Sequence, residues 1–207
     1  MQHRLYTWPD FLQGEGRLIN ALFDKGLPWL HLRKPAASLV ACRLLLEQID
    51  RQYHRRIIVH QHWELTALFE LGGIHWTEQS RALYSPSELI QKVQVQQAMG
   101  LQVGTAIHQP EQLAELPALL DYVTVSPIFE SISKPNYKAS YHWEDHGHYP
   151  FVLVALGGIE PSNLVLVQKR GFGSVAVLGT VWQPQAAVLQ NYQQLCQALQ
   201  QLSDLMY

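Results

Sequence analysis

Short apolar runs alternate with amphipathic segments along most of the chain. Several of the runs are rich in β-branched residues, and each predicts a buried strand. The predicted strands are Arg4–Trp8, Trp29–Arg33, Ile57–Val59, Gly73–His75, Gln102–Ile107, Tyr122–Ser126, Phe151–Leu156 and Ser174–Leu178. The segments between them carry apolar residues at helical spacing. They predict helices over Phe11–Lys25, Ser38–Tyr53, Trp63–Leu71, Ser85–Met99, Pro110–Leu120, Pro161–Arg170 and Pro184–Leu202.

Eight strand–helix repeats of about 25 residues predict parallel βα units, as in a (β/α)8 TIM barrel. We expect one domain over residues 1–207. The segment Asn136–Tyr149 lacks helical periodicity, so the sixth helix should be short or replaced by a loop. A doubly wound sheet is the alternative fold. No G-x-G-x-x-G motif follows the first strand to favour a dinucleotide-binding version of that fold.

Composition narrows the range of partners. A net charge of −2 argues against a general nucleic-acid or anionic-membrane surface. No apolar run approaches the roughly 20 residues of a membrane span, and the N-terminus lacks the apolar core of a signal peptide. Cys42 and Cys196 have no motif spacing and are expected to be buried free thiols. Together these features predict a cytoplasmic protein.

Polar groups and glycines follow the predicted strands where a barrel carries its functional site. In chain order they are His31 and Arg33, His60 and His62, His75, His108, the segment Ser126–Pro135, Gly157-Gly158 and Leu178-Gly179. In Ser126–Pro135, Pro127 ends the sixth strand, and two serine hydroxyls precede a lysine. Glycines after the last two strands let backbone N–H groups approach an anion. We therefore expect a phosphate site here, with an ordinary solvated loop as the alternative.

Several segments match a known family in order and spacing. His31-Leu32-Arg33-Lys34 resembles its Gln-Leu-Arg-Glu, and Gly73-Ile74-His75 resembles its Gly-Val-His. The stretch from Val103 to His108 resembles Gly-x-Ser-x-His, while Ser126–Pro135 resembles G-P-x-[FY]-x-T-x-T-K-P with serines for threonines. Ala155–Ile159 resembles A-I-G-G-I. On these motifs the chain is identified as a member of the thiamine phosphate synthase/TenI superfamily of small (β/α)8 barrels.

The resemblance implies a site with two halves. A thiazole phosphate would bind at Ser131, Ser133, Gly157, Gly158, Leu178 and Gly179. A pyrimidine diphosphate would use Arg33 with His31 and Lys134, and the positions held here by His60 and Ala106. The serines keep the hydroxyls of the first half, whereas Ala106 removes one from the second.

Synthases of this family also hold Mg²⁺ with two aspartates, and Gln61 and Ser80 stand at those positions. An amide and a hydroxyl replace carboxylates poorly as Mg²⁺ ligands. We therefore assign no metal ligand and expect no cofactor, with Mg²⁺ only in a true synthase. The pattern favours the TenI branch, whose characterised members move a proton on a thiazole phosphate tautomer. His108 stands at the histidine implicated there, and imidazole suits proton transfer near neutral pH.

Three other functions stay open. The first is the thiamine phosphate synthase reaction, a transferase instead of an isomerase activity. The second is a protein that binds thiazole phosphate without catalysis. The third is a barrel metallohydrolase built on His60-x-His62 with His31 and His75, which is disfavoured because no carboxylate stands at a matching strand end.

The expected partner is a small phosphorylated thiazole. The aromatic segment Tyr137–Tyr149 could serve a homo-oligomer interface. Trp63 and Trp76 could stack on a heterocycle, although packing is the more common role of such residues. His75 is expected to be structural.

Overall fold

A computed structural model describes residues 1–129, 143 and 148–204. Its eight strands form a closed barrel in chain order, and every neighbouring pair is parallel. The strands are β1 Gln2–Tyr6, β2 Trp29–Leu32, β3 Ile57–Val59, β4 Gly73–Trp76, β5 Gln102–Ile107, β6 Tyr122–Val125, β7 Val152–Leu156 and β8 Ser174–Val177. β1 pairs with both β2 and β8, which closes the ring. The predicted (β/α)8 barrel is confirmed.

Helices surround the barrel. They are α1 Glu15–Asp24, α2 Leu39–Leu46, α3 Leu65–Phe69, α4 Glu78–Arg81, α5 Pro86–Ala98, α6 Leu164–Lys169, α7 Gly179–Trp182 and α8 Val188–Asp204. The start of α5 shows why the sequence is helical there, since Ser85 and Glu88 form a capping box and Pro86 fills the first turn. No helix in the described ranges is long and apolar enough to cross a bilayer.

Several predicted helices differ from the structure, and the predicted helices Pro161–Arg170 and Pro184–Leu202 each begin with a short 3₁₀ helix, over Pro161–Asn163 and Gln185–Ala187. The predicted helix Ser38–Tyr53 is divided into α2 and a 3₁₀ helix over Arg51–Arg56. The predicted helix Pro110–Leu120 is only a 3₁₀ helix over Pro110–Glu115. Leu116 is extended there, because Pro117 follows it and disfavours the helical region for the residue before proline.

The sequence predicts that the sixth helix, between β6 and β7, is short or replaced by a loop. Residues 130–142 and 144–147 lie outside the described residues, so this expectation stays a prediction. Trp143 is buried and packs against Phe172, with the ring centroids 5.7 Å apart.

Strand residues alternate between two cores. One face packs under the helices in a large apolar cluster. The other face fills the barrel interior with a small cluster of Tyr6, Ile58, Tyr122, Val154 and Ala176. Gly104 makes room for Tyr122, since a Cβ at Gly104 would lie 2.2 Å from the tyrosine ring. Side chains therefore fill the interior of the barrel, and its open space lies at the carboxyl ends of the strands.

Candidate active site

A cavity of about 530 Å³ opens at the carboxyl ends of the strands. Residues after β1 to β8 contribute to it, as expected for a barrel site. Its floor is formed by interior side chains that include Tyr6, His60 and His75. Leu178 and Gly179 line one wall, together with the turn Gly157-Gly158. Four of the six residues predicted to hold a phosphate thus border one cavity.

The turn after β7 requires glycine. Gly157 and Gly158 have φ of +97° and +62°, values that residues with a Cβ rarely adopt. A Cβ at Gly157 would lie 2.9 Å from the Cα of Pro127. The N–H of Phe129 donates to the carbonyl of Gly157 at 3.1 Å. Pro127 and Phe129, near the start of the Ser126–Pro135 segment, therefore pack closely against the glycine turn.

Backbone donors of the two glycine turns remain available. No acceptor within the described ranges takes the N–H of Gly158 or Gly179. The carbonyl of Gly158 is held by the amide of Asn163 at 2.8 Å, and the Thr180 hydroxyl donates to the carbonyl of Ile159. Asn163 and Thr180 thus hold the backbone of this turn, and neither contact was predicted from the sequence. Free N–H groups on a fixed turn are suited to an anion.

Ser131, Ser133 and Lys134 were predicted to complete this half of the site. All three lie outside the described residues. Their roles stay predictions.

His108 is held at the rim of the cavity, just after β5. Its Nδ1 atom is 2.7 Å from the carbonyl oxygen of Ser126. Because a carbonyl only accepts hydrogen bonds, Nδ1 carries the proton and Nε2 of the neutral ring has a free lone pair. The His108 N–H donates to Oε1 of Gln112 at 2.8 Å, and the Gln112 amide donates to Glu78 at 2.6 Å. Neither Gln112 nor Glu78 was predicted as a site residue. The sequence offered one indication of the first contact, which is that Gln112 lies four residues after His108.

Arg33 lies at the mouth, where it borders the main cavity and a second, more open one of about 890 Å³. Its backbone is fixed by reciprocal 3.0 Å hydrogen bonds with the hydroxyl of Thr7. The guanidinium makes no hydrogen bond or ion pair with any described residue. It is a free cation beside both cavities, which suits the predicted contact with an anion.

The histidines of β2 and β4, and the one that follows β3, lie deeper than the mouth. His31 is fully buried in the barrel interior, where it stacks on Tyr6 with centroids 4.4 Å apart. His60 and His75 are also buried and form the cavity floor. Burial lowers the pKa of His31 and His60 well below the usual value, and lowers that of His75 to about 3. All three imidazoles are therefore neutral at neutral pH.

The structure places His62, Trp63 and Trp76 in packing or backbone contacts. β3 ends at Val59, and His62 adopts a φ of +56°. Its Nε2 lies 2.9 Å from the carbonyl oxygen of Ala37, so it does not join His60. Trp76 is fully buried, packs on Trp63 at 4.3 Å and donates to Gln96, as the packing interpretation expected.

Comparison with known proteins decides the family. A family model described as thiamine monophosphate synthase matches residues 12–181. The chain belongs to this family. The thiamine-phosphate synthase of Cronobacter sakazakii is 24% identical over 192 residues, which cover 87% of this chain and 86% of that protein. The thiamine-phosphate synthase of Escherichia coli O1:K1 is 26% identical over 180 residues, which cover 80% of this chain and 79% of that protein.

Solved structures agree with the family. The thiamine phosphate pyrophosphorylase of Bacteroides thetaiotaomicron has a TM-score of 0.74 and 30% identity, covering 97% of this chain and 98% of that one. The enzyme of the same name from Pyrococcus furiosus has a TM-score of 0.69 at 15% identity, with 97% and 96% covered, and shows the same fold. The resemblance to the thiamine phosphate synthase/TenI superfamily is confirmed.

The residues at the family's magnesium positions do not fit Mg²⁺. The Gln61 amide nitrogen donates to the carbonyl oxygens of Lys34, at 2.5 Å, and Ala37, at 3.3 Å. The Ser80 hydroxyl donates to the carbonyl of Thr77 at 2.9 Å. Neither side chain is anionic, and both use a donor to hold backbone. Mg²⁺ prefers hard oxygen ligands with carboxylates among them.

Proposed function

We propose that this protein binds a phosphorylated thiazole and transfers a proton on its ring, a thiazole tautomerase-type reaction. The observation that carries the proposal is the hydrogen bond from His108 to the carbonyl of Ser126. That bond fixes the tautomer in which Nε2 is a base. The proposal assigns the catalytic role to His108.

The phosphate group would bind at the turns after β7 and β8. The free N–H groups of Gly158 and Gly179 support this placement, and Ser131 and Ser133 are proposed to add hydroxyl donors. Backbone N–H groups and hydroxyls are common phosphate donors in barrels. With the phosphate there, the heterocycle would extend across the cavity towards His108 and Arg33, which border the same space.

The chemistry needs few groups. Tautomerisation removes a proton from one ring position and returns one to another, so a single base can do both steps. His108 Nε2 would accept the proton and the resulting imidazolium would return it. The charge that develops on the ring would be stabilised by the guanidinium of Arg33. Gln112 and Glu78 hold the backbone of His108 and are proposed as positioning residues.

The synthase reaction is the second candidate function. The second cavity favours it, because it adjoins the first and shares Arg33 and His60 with it. The names of the relatives also favour it. Gln61 and Ser80 argue against it, since a diphosphate leaving group would lack the metal ligands that the family uses.

One assay separates the candidates. Purified protein is given the thiazole phosphate tautomer and the pyrimidine diphosphate, with Mg²⁺ or with EDTA. We expect conversion of the tautomer in both conditions and no thiamine phosphate. Efficient Mg²⁺-dependent formation of thiamine phosphate would overturn the proposal, and tight binding without any conversion would make the protein a binder only.

A further inference from the structure

Three imidazoles meet inside the barrel, below the cavity. His31, His60 and His75 each bring one ring nitrogen to within 4.8 Å of the others. They come from β2, from the residue after β3, and from β4, so barrel closure and strand register bring them together. All three are at most 6% exposed. This set is independent of the proposed role of His108.

One nitrogen of this set has no partner. His31 Nδ1 is 3.0 Å from His60 Nε2, while His31 Nε2 is buried without a hydrogen bond to any described residue. If His31 donates to His60, its Nε2 is an unused lone pair; if it accepts, its Nε2 is an unused donor. Either state of a buried polar atom is costly in free energy. In the first state, a ligand that needs a lone pair would remove this cost.

The ring spacing approaches that of a metal site. Three imidazoles bound tetrahedrally to Zn²⁺, with Zn–N of about 2.0–2.1 Å, have centroids roughly 5 Å apart. The centroid distance is 5.2 Å for His31–His60 and 5.5 Å for His31–His75. The His60–His75 pair is stacked at 4.1 Å and would have to open by about 1 Å. Rotation of one side chain can supply a movement of that size.

We propose that His31, His60 and His75 form a binding site for a transition-metal ion of the Zn²⁺ class, with a fourth position open to the cavity. His60 and His75 line that cavity, so a ligand in it can reach the ion. Neutral imidazoles are preferred ligands for such ions and poor ones for Mg²⁺. The site is therefore distinct from the magnesium site of the family.

The outer contacts also fit. Metal-bound histidines usually donate their second ring N–H to an acceptor. His75 Nδ1 is 3.0 Å from the Tyr122 hydroxyl, which leaves its Nε2 for the ion. Arg4 and Arg33 add positive charge around His75 and oppose a bare cation. An anionic fourth ligand, either hydroxide or a phosphate oxygen, would offset this charge.

The test uses Co²⁺ as a spectroscopic probe of metal-stripped protein. Tetrahedral Co²⁺ absorbs visible light far more strongly than octahedral Co²⁺, so the spectrum reports the geometry. We expect one Co²⁺ per chain with a tetrahedral spectrum, displaced by Zn²⁺. His60→Asn or His75→Gln should weaken binding at least about 100-fold. His62→Asn is the matched control, since it removes a nearby imidazole outside the cluster and should leave affinity unchanged.

Several results would contradict the site. These are an octahedral spectrum, equal affinity in wild type and His75→Gln, or an equal loss in His62→Asn. Should the cluster variants fail to fold, X-ray absorption on the Zn²⁺-loaded wild type decides. Three imidazole nitrogens at about 2.0 Å support the site, and a shell of oxygens alone overturns it. None of these outcomes depends on tautomerase activity.

Discussion

The Nδ1 atom of His108 donates a hydrogen bond to the backbone carbonyl of Ser126, and this contact fixes which ring nitrogen can act as a base. We expect His108→Gln to lower the rate of tautomer conversion by about 10² to 10⁴-fold. Affinity for the thiazole phosphate should change little, because the phosphate is proposed to bind at the turns after β7 and β8. Single-turnover rates and calorimetry measure the two effects separately. Loss of binding with an unchanged chemical rate would assign His108 to substrate binding instead.

A substitution at Gln112 tests whether the position of the His108 backbone affects the rate. It accepts the His108 N–H and donates to Glu78. Gln112→Ala frees the backbone that carries the imidazole but leaves the ring intact. We expect a rate loss of roughly tenfold with the same pH profile as wild type. A rate equal to that of wild type would remove Gln112 from the positioning of His108.

The contact between Gly157 and Pro127 predicts a stability difference. Gly157→Ala adds a Cβ 2.9 Å from Pro127 at a φ of +97°. Gly26 has a similar φ of +91°, but nothing lies within 4 Å of its Cβ position. Urea unfolding should show a free-energy loss of about 1 kcal/mol for Gly26→Ala and at least about 1 kcal/mol more for Gly157→Ala. Equal losses would mean that the turn after β7 can move away from Pro127.

The buried ion pair of Lys34 and Glu15 holds the loop after β1. Lys34 Nζ is 2.7 Å from Glu15 and also donates to the carbonyls of Trp8 and Asp10. Lys34→Met should lower the free energy of unfolding by about 3–5 kcal/mol, because Glu15 is left as an unpaired buried charge.

The double variant Lys34→Met/Glu15→Leu should be less destabilised than the sum of the single variants. The exposed pair of Arg43 and Glu47 is the control, and Arg43→Met should cost no more than about 1 kcal/mol. Additive losses at Lys34 and Glu15 would show that the two charges are not coupled.

The low pKa of His75 predicts acid sensitivity. The unfolded chain binds a proton at this residue below pH 6.5, whereas the native state does so only near pH 3. Stability conferred by the neutral ring is thus complete above pH 6.5 and is lost as pH falls. From pH 7 to pH 5 this loss is about 2 kcal/mol. Urea unfolding in EDTA should show it in wild type and in His62→Asn, and His75→Gln should lose about 2 kcal/mol less over this range.

Local pattern predicted most of the fold. The predicted β3 and β5 match the structure, and the predicted β1 is displaced by two residues towards the C-terminus. Periodicity missed the effect of Pro117, which ends helical geometry before the predicted helix from Pro110 is complete. Apolar spacing alone does not include that backbone restriction.

The site was predictable where its residues directly follow predicted strands, as Arg33, His108 and Gly179 do. Gly157 and Gly158 follow a strand in sequence, so their place could be deduced from the chain alone. The meeting of His31, His60 and His75 depends on register and on which face of each strand points inwards. A residue as near in sequence as His62 is excluded because β3 ends at Val59. The partners Gln112 and Asn163 depend on side-chain directions that a sequence pattern does not contain.

Proton transfer on the ring is the central claim, and NMR in deuterated water measures it most directly. The thiazole phosphate tautomer is mixed with wild-type protein or His108→Gln, in EDTA, and deuterium incorporation and conversion are followed. The account predicts rapid conversion with deuterium uptake by the wild type, and a rate at least about 100-fold lower for His108→Gln. Equal rates in the two proteins, or no conversion by the wild type, would contradict it.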